Sequence, residues 1–426
     1  MTDSLLAAAR AGVHQAPPVG SPQYPRYASA LASGLRARAA RLCAAADEDA
    51  DRAIARGLPA PQADLLRITE DEITRLSVLT EEIRDTLPQI VRGASPTVLG
   101  DWGRLRTVPK PLGVVLMVHE ARPWLTFEAA LMPVAVGNAA VVHGGMESSS
   151  ANAVTAELAA DALRSAGLPP GIVTVVERAD RRTLRELLSR RDAVDAVLPR
   201  ESRALIDYCR STAAAPVIAS GRGFNHLYVH RSATPRVAAG IAIDSKVPNP
   251  VMCNSLQLVL VDKEVAGAFT DALVEAAAHG GRPVTLRLDP ALGQSPRQAG
   301  DCQIQLLEDH DLGREFLEPV LGVRVVDDAE AAVEHIRQYG SAHTEGVLTA
   351  DPDVAEDFAR RVDAATIVVN GSLRLHDGPT LGMGPELTLS SGRLHVRGPV
   401  TVRSLLTHSW LIEGTDTTRE AADRAR

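Results

Sequence analysis

Cys253 stands in the run Asn249-Pro-Val-Met-Cys-Asn-Ser255, just ahead of the apolar stretch Leu256-Gln-Leu-Val-Leu-Val261. A thiolate placed there can attack a carbonyl carbon and hold the acyl group as a thioester, dividing one difficult substitution into two easier steps. A cysteine beside a buried strand can equally be a small core hydrophobe. A second group of interest is His143-Gly144-Gly145, which follows the apolar run Ala139-Ala-Val-Val-His143 and opens toward Glu147-Ser-Ser-Ser150. A strand end, two glycines and a helix start bring a ribose or phosphate to helix-terminal N–H donors, although an ordinary βα loop has the same pattern.

Such groups need a scaffold, and the composition bounds it. At 426 residues and 45% hydrophobic content the chain is globular and too long for one small core, so two or three lobes are expected. The net charge is −8 with Arg and Glu interspersed, which leaves no basic field for nucleic acid or anionic lipid, and neither is an expected partner. Cys43, Cys209, Cys253 and Cys302 are widely spaced without a CxxC pair, which suits free thiols in a reducing compartment and suggests neither a disulfide framework nor a metal site. Cys43, Cys209 and Cys302 fall in helical or strand patterns and read as structural. The start Met1-Thr-Asp-Ser-Leu-Leu-Ala lacks the layout of a secretion signal, and no apolar run approaches the ~18 residues of a membrane span. A soluble cytoplasmic protein is expected.

Residues 27 to 90 are rich in Ala, Arg, Leu and Glu at helical spacing, interrupted at Gly57-Leu-Pro-Ala-Pro61, and read as two or three amphipathic helices. From about residue 112 short apolar runs alternate with helical segments: residues 113–119, 139–143, 172–177, 193–198 and 216–220. A second series follows at 226–230, 256–261, 323–326, 346–349 and 365–370, with helices at 265–279 and 354–362 between its members. Alternation of this kind predicts βαβ units and parallel sheets covered on both faces. The last sixty residues read as extended chain, with residues 11–26 and 414–426 loose enough to be disordered.

Several ordered motifs carry a resemblance. They are Pro111-Leu-Gly-Val-Val-Leu-Met-Val-His-Glu-Ala-Arg-Pro123, Gly137-Asn-Ala-Ala-Val-Val-His-Gly-Gly145, Leu198-Pro-Arg200, Lys246 with Pro250-Val-Met-Cys-Asn254, Ser341-Ala-His-Thr-Glu345, Val369-Asn-Gly-Ser372, Asp377-Gly378 and Leu394-His-Val-Arg-Gly-Pro399. Together they resemble the γ-glutamyl phosphate reductases of the aldehyde dehydrogenase superfamily, from the helical prelude to about residue 413. The resemblance implies an aldehyde dehydrogenase-like α/β fold of two doubly wound domains plus a strand arm for oligomerisation. Residues 1–225 would hold the helical prelude and the nucleotide-binding domain, 226–375 the catalytic domain, and 376–426 the return segment and arm, joined by a strand near 99–111. A homodimer or larger homo-oligomer is implied, with an upstream kinase as a further partner.

The implied reaction is NADPH-dependent reduction of an acyl phosphate, L-glutamyl 5-phosphate, to glutamate-5-semialdehyde and phosphate through a thioester on Cys253, with NAD not excluded as cofactor. Backbone N–H groups at Cys253 and the Asn254 side chain would face the oxyanion. By the same resemblance His143, Gly144, Gly145, Glu147, Pro199, Arg200, Ser202 and Glu315 would hold the cofactor. Arg122, Lys246 and Arg397 would hold phosphate or carboxylate, although each suits a salt bridge equally well. Aldehyde-oxidising relatives carry a glutamate base ahead of the cysteine, whereas Ser220-Gly-Arg-Gly-Phe-Asn-His226 contains no carboxylate, which favours a reductase.

Several positions depart from the reductase pattern. Trp124 replaces an Asn after Arg-Pro, Glu201 replaces a Gly in the Pro-Arg-Gly-Gly loop, and Asn249 replaces an Arg. His143 stands for a more basic residue, and Gln257 for a Glu four residues past the cysteine. Substitutions at the loops with the scaffold kept leave three readings open: the same reductase with altered cofactor preference, a reductase of another acyl phosphate or acyl thioester, or a catalytically silent paralogue that binds a partner.

Overall fold

A computed structural model describes residues 2–92, 95–120, 122–177, 179–200, 202–221 and 223–424, with the Ala421 side chain also outside the description. Glu201, one of the departures above, lies outside the described residues. The chain divides into two units, residues 1–218 with 384–387 and 400–426, and residues 219–383 with 388–399.

In the first unit, Thr97–Val98 (β1) and Gly103–Pro111 (β2) precede the four-stranded sheet of Val114–Val118 (β3), Ala139–His143 (β4), Val173–Val175 (β5) and Ala196–Pro199 (β6). These four are parallel in the order β5-β4-β3-β6. Strands β3 and β4 are buried at every position, as their unbroken apolar runs require of strands covered on both faces. The helical prelude comprises Thr2–Gln15, Gln23–Ala37, Ala39–Ala55 and Glu70–Ile90, with a short turn at Ala60–Ala63 where the Gly-Pro break was read. The segment 11–26, expected loose, is largely helical instead. Tyr24 and Tyr27 of its second helix are fully buried, and the Tyr27 hydroxyl donates to the Ala130 carbonyl at 2.8 Å, so apolar burial outweighs the local prolines.

The second unit is built on eight strands: Asn225–Val229 (β7), Leu256–Asp262 (β8), Val284–Leu288 (β9), Arg297–Ala299 (β10), Cys302–Leu306 (β11), Val320–Val326 (β12), Thr344–Leu348 (β13) and Thr366–Val369 (β14). Their order is β10-β11-β9-β12-β8-β7-β13-β14, parallel except for the β10-β11 hairpin. Helices Pro235–Lys246 and Ala266–Ala278 pack against one face of aliphatic residues around Phe269, and Ala329–Tyr339 and Pro352–Arg361 against another around Tyr228 and Phe358. Sequence patterning did not anticipate β9, β10 or β11. The strand expected at 216–220 is reduced to a single bridge from Val217 to Val197.

The chain then forms a two-stranded sheet of Glu386–Ser390 (β15) and Gly398–Thr401 (β16) and ends in Leu406–Gly414 (β17). Strand β17 pairs antiparallel with β2 over nine positions, from Leu406 opposite Pro111 to Gly414 opposite Gly103, and β1 closes the other side of β2. Residues 419–424, expected loose, form a short helix. Among the described residues no helix is long and apolar enough to cross a membrane.

Candidate active site

Cys253 sits in the turn immediately before β8, half-buried and outside any disulfide. The Ser255 N–H donates to the Met252 carbonyl at 3.0 Å, closing the turn. What fixes this turn is mostly remote in sequence. The Asn225 amide, fully buried at the start of β7, donates to the carbonyls of Cys253 (2.8 Å), Ser255 (2.8 Å) and Gly223 (3.0 Å), and its Oδ1 accepts from the Thr344 N–H at 3.1 Å. Three acceptors on one side and a donor on the other fix which way the amide points. Gly223 lies against the Cys253 backbone: a Cβ there would meet the Cys253 carbonyl oxygen at 2.3 Å, so only glycine fits without movement.

Glu315 accepts from the Gly223 N–H at 2.6 Å. This carboxylate, expected to hold the cofactor, here holds the loop that backs the cysteine. Asn254, expected to face an oxyanion, is buried, and its amide donates to the His376 carbonyl at 3.1 Å. Thr344 Oγ1 lies between His343 Nδ1 (2.7 Å) and His376 Nδ1 (2.8 Å). Burial pulls His343 down to about 3 and His376 down to about 4, so both rings are neutral at pH 7 and lend the turn no charge.

Lys246, expected as a substrate anchor, is instead fully enclosed at the end of its helix. Its amine donates to the Phe316 carbonyl at 2.5 Å and to Gln257 Oε1 at 3.0 Å. Burial pulls its pKa down to about 7, opposed by the nearby Glu315 carboxylate. Arg397 pairs with Asp363 at 2.7 Å, and Arg393 pairs with the same carboxylate. Cys253, Asn254, Lys246 and Glu315 are thus brought into one network within this unit, while Arg397 stands in a separate ion-pair cluster.

In the first unit the carboxyl ends of β3 and β4 open on a cleft of about 700 Å³ whose lining includes His119, His143, Gly145, Glu147, Arg181 and Arg185. A second cleft of about 390 Å³ lies between the helix Ser149–Ala166 and β5, lined in part by Gly144, Gly145, Asn152 and Glu177. Clefts at the carboxyl ends of parallel strands are where open α/β sheets take nucleotides, so the residues present fit a nicotinamide dinucleotide. Close approach of the two strand-end loops requires Gly145, because a Cβ there would meet the Glu120 carbonyl oxygen at 2.0 Å.

The helix start is not open as expected. The Ser150 and Ala151 N–H groups donate to the buried Asp49 carboxylate at 3.1 and 2.9 Å, and Arg52 pairs with it. A carboxylate already occupies the position where helix-terminal N–H groups would meet a phosphate. His143 Nε2 lies 3.2 Å from the Asp180 carbonyl, and burial lowers its pKa, so the ring is neutral. Glu147 is exposed. Pro199 ends β6, Ser202 caps the helix Arg203–Thr212 by accepting from the Leu205 N–H at 3.2 Å, and the Arg200 N–H donates to the Val118 carbonyl at 2.7 Å. The Arg200 guanidinium reaches Glu128, a buried carboxylate also held by Arg75 at 3.1 Å. Arg75 lies over the Trp124 ring at 4.8 Å and Arg122 at 6.0 Å, so the tryptophan is flanked by cations.

Sequence reasoning missed Asn225, whose amide holds two carbonyls of the Cys253 turn. No local signal could have found it, because its partners at Cys253, Ser255 and Thr344 lie 28, 30 and 119 residues away.

The aldehyde dehydrogenase family model matches residues 32–291, and the chain belongs to that family. The match agrees with the geometry: parallel α/β units, a strand arm and a cysteine at the mouth of a strand. Among curated relatives, gamma-glutamyl phosphate reductase of Escherichia coli O6:K15:H31 is 32% identical over 98% of this chain and 100% of its own length. That of Sorangium cellulosum is 36% identical over 98% and 97%. The crystal structure of gamma-glutamyl phosphate reductase from Thermotoga maritima superposes with a TM-score of 0.91 at 26% identity, covering 98% of this chain and 99% of the other. These likenesses group the chain with the gamma-glutamyl phosphate reductases inside the family.

Proposed function

We propose that this enzyme reduces L-glutamyl 5-phosphate to glutamate-5-semialdehyde and phosphate through a thioester on Cys253. The observation that carries the reading is Cys253 in a braced turn at the mouth of β8, in a chain alike to gamma-glutamyl phosphate reductases over nearly its full length. The thiolate attacks the acyl carbon, phosphate leaves with the bonding pair, and the acyl group remains on sulfur. A nicotinamide dinucleotide held at the clefts beside His143, Gly144, Gly145 and Glu147 supplies, when bound, the hydride for reduction, and NADPH is the preferred form in this reading. Collapse of the resulting thiohemiacetal returns the Cys253 thiolate and frees the aldehyde.

The absence of a carboxylate from Ser220-Gly-Arg-Gly-Phe-Asn-His226 supports phosphate release over thioester hydrolysis, since no carboxylate base is supplied there to activate water. The acyl phosphate itself must come from a kinase acting on a carboxylate. The exposed edge of β17 supports assembly through the arm into a homodimer or larger oligomer. Trp124, with Arg75 and Arg122 near its ring, favours a second reading, the same chemistry on a different acyl phosphate, because an indole stands where the reductase pattern has a small amide.

Phosphate-dependent reduction of NADP with glutamate-5-semialdehyde, run in reverse for convenience, tests the proposal. Cysteine-dependent turnover supports it. No turnover with NADP or NAD by a folded protein moves the assignment to the other acyl group.

A further inference from the structure

We propose that Asn225 and Gln257 are positioning residues for the Cys253 nucleophile, two side-chain amides that grip its turn by the carbonyl oxygens and so set the direction of the thiol. The inference rests on the reading of Cys253 as the nucleophile. The Ser255 carbonyl accepts from both amides, from Asn225 Nδ2 at 2.8 Å and from Gln257 Nε2 at 3.1 Å. The Cys253 carbonyl accepts from Asn225 at 2.8 Å. Holding these two oxygens fixes the peptide planes that follow Cys253 and Ser255, leaving the thiol only its own side-chain rotation.

The two amides also close a ring. Gln257 Oε1 accepts from the Phe316 N–H at 2.8 Å and from the Lys246 amine at 3.0 Å, and the same amine holds the Phe316 carbonyl. Next to Phe316, Glu315 accepts from the Gly223 N–H, and the Gly223 carbonyl returns to Asn225. Three segments, 223–225, 253–257 and 315–316, are thereby tied into one circuit of hydrogen bonds around the nucleophile, buried where each bond is strongest and each gap most costly.

The identity of residue 257 follows from its two jobs. A glutamate there would keep both donors and give the Lys246 ammonium a counter-charge. It would also present an oxygen to the Ser255 carbonyl where an N–H now donates, turning a grip into a repulsion. Glutamine forgoes the ion pair and keeps the turn in hand, so the second grip is particular to this chain, in which Gln257 stands where the reductase pattern has a glutamate.

The variant Gln257→Glu separates positioning from scaffolding. Peptide-resolved alkylation of Cys253 by iodoacetamide, steady-state kinetics and thermal unfolding are measured side by side on the full chain. The expected result is a fall of about tenfold in both alkylation rate and kcat, with KM within about twofold and Tm held or raised, because a displacement near 1 Å is enough to cost up to two orders of magnitude in reactivity. Wild-type alkylation, or loss of kcat only in proportion to loss of Tm, overturns the proposal. Should the variant not fold, amide hydrogen exchange on the wild-type protein decides: slow exchange at Gly223, Thr344 and Phe316 supports the circuit, and fast exchange at all three overturns it. Alkylation needs no substrate. A protein whose alkylation responds to Gln257→Glu but which does not turn over the semialdehyde refutes the assigned substrate and leaves the clamp standing.

Discussion

At the scale of single residues, Cys253 and Lys246 make opposite demands on their surroundings. Cys253→Ala is expected to abolish turnover while Tm stays within about 2 °C, since the half-buried side chain loses one atom and little packing. Retained turnover in that variant would rule out the covalent route. Lys246 has a pKa pulled down to about 7 by burial, with Glu315 opposing. Its value in the unfolded chain is about 10.4, so between these limits the unfolded chain holds a proton that the folded chain has released. Stability from this group therefore rises with pH across that window, and below the lower limit the folded protein bears the full penalty of an enclosed cation. The Tm of Lys246→Met minus that of wild type should accordingly be highest at about pH 6.5 and fall by about pH 9.5, on top of a pH-independent loss from the vacated Phe316 carbonyl. A difference in Tm that does not change with pH would show that the amine does not titrate in this range.

At the scale of elements, the helix Ser149–Ala166 begins on a side chain from another helix, Asp49 of Ala39–Ala55. Replacing Asp49 by Asn keeps one acceptor and removes the charge, and unfolding in urea should show a loss of about 1–2 kcal/mol, the usual scale of a lost helix cap. An unchanged midpoint would mean that Arg52 and solvent screen the carboxylate already. This contact also shows where sequence reading stops. The buried strands were legible because runs such as Val114-Val-Leu-Met-Val118 and Leu256-Gln-Leu-Val-Leu-Val261 are nearly continuous in apolar residues. Strand β11, Cys302-Gln-Ile-Gln-Leu306, alternates with glutamines in a setting of Gly and Asp, and was not singled out among the strands although Cys302 fitted a helical or strand pattern. The Cys253 turn and the strand end at His143 were likewise legible as local patterns. The Asn225 grip, the Gln257 bonds to Lys246 and Phe316 and the Asp49 cap were not, because each joins a polar side chain to a partner chosen by tertiary packing, a choice no local periodicity records.

At the scale of the whole molecule, the arm sheet presents a long edge. Strand β17 is nine residues long, is paired on one side by β2, and has no partner on its other side among the described residues. Trp410 and Ile412 on it are 64% and 60% exposed, with the Trp410 ring packed edge-on against His408 and Val98 exposed on β1. An edge this long and this apolar invites pairing with another chain unless something covers it. A second copy supplies a like edge, and a twofold pairing would let each β17 satisfy the other. Because neither side chain contributes to the buried core, Trp410→Lys with Ile412→Lys should leave Tm of the separated subunit nearly unchanged while shifting the mass measured by sedimentation from assembly to monomer. Positive charge opposite its own copy adds repulsion to the lost apolar contact, so the shift should be strongest at low salt and weaken as salt is raised. A double variant that keeps the wild-type mass at every salt concentration would place the assembly surface away from this strand.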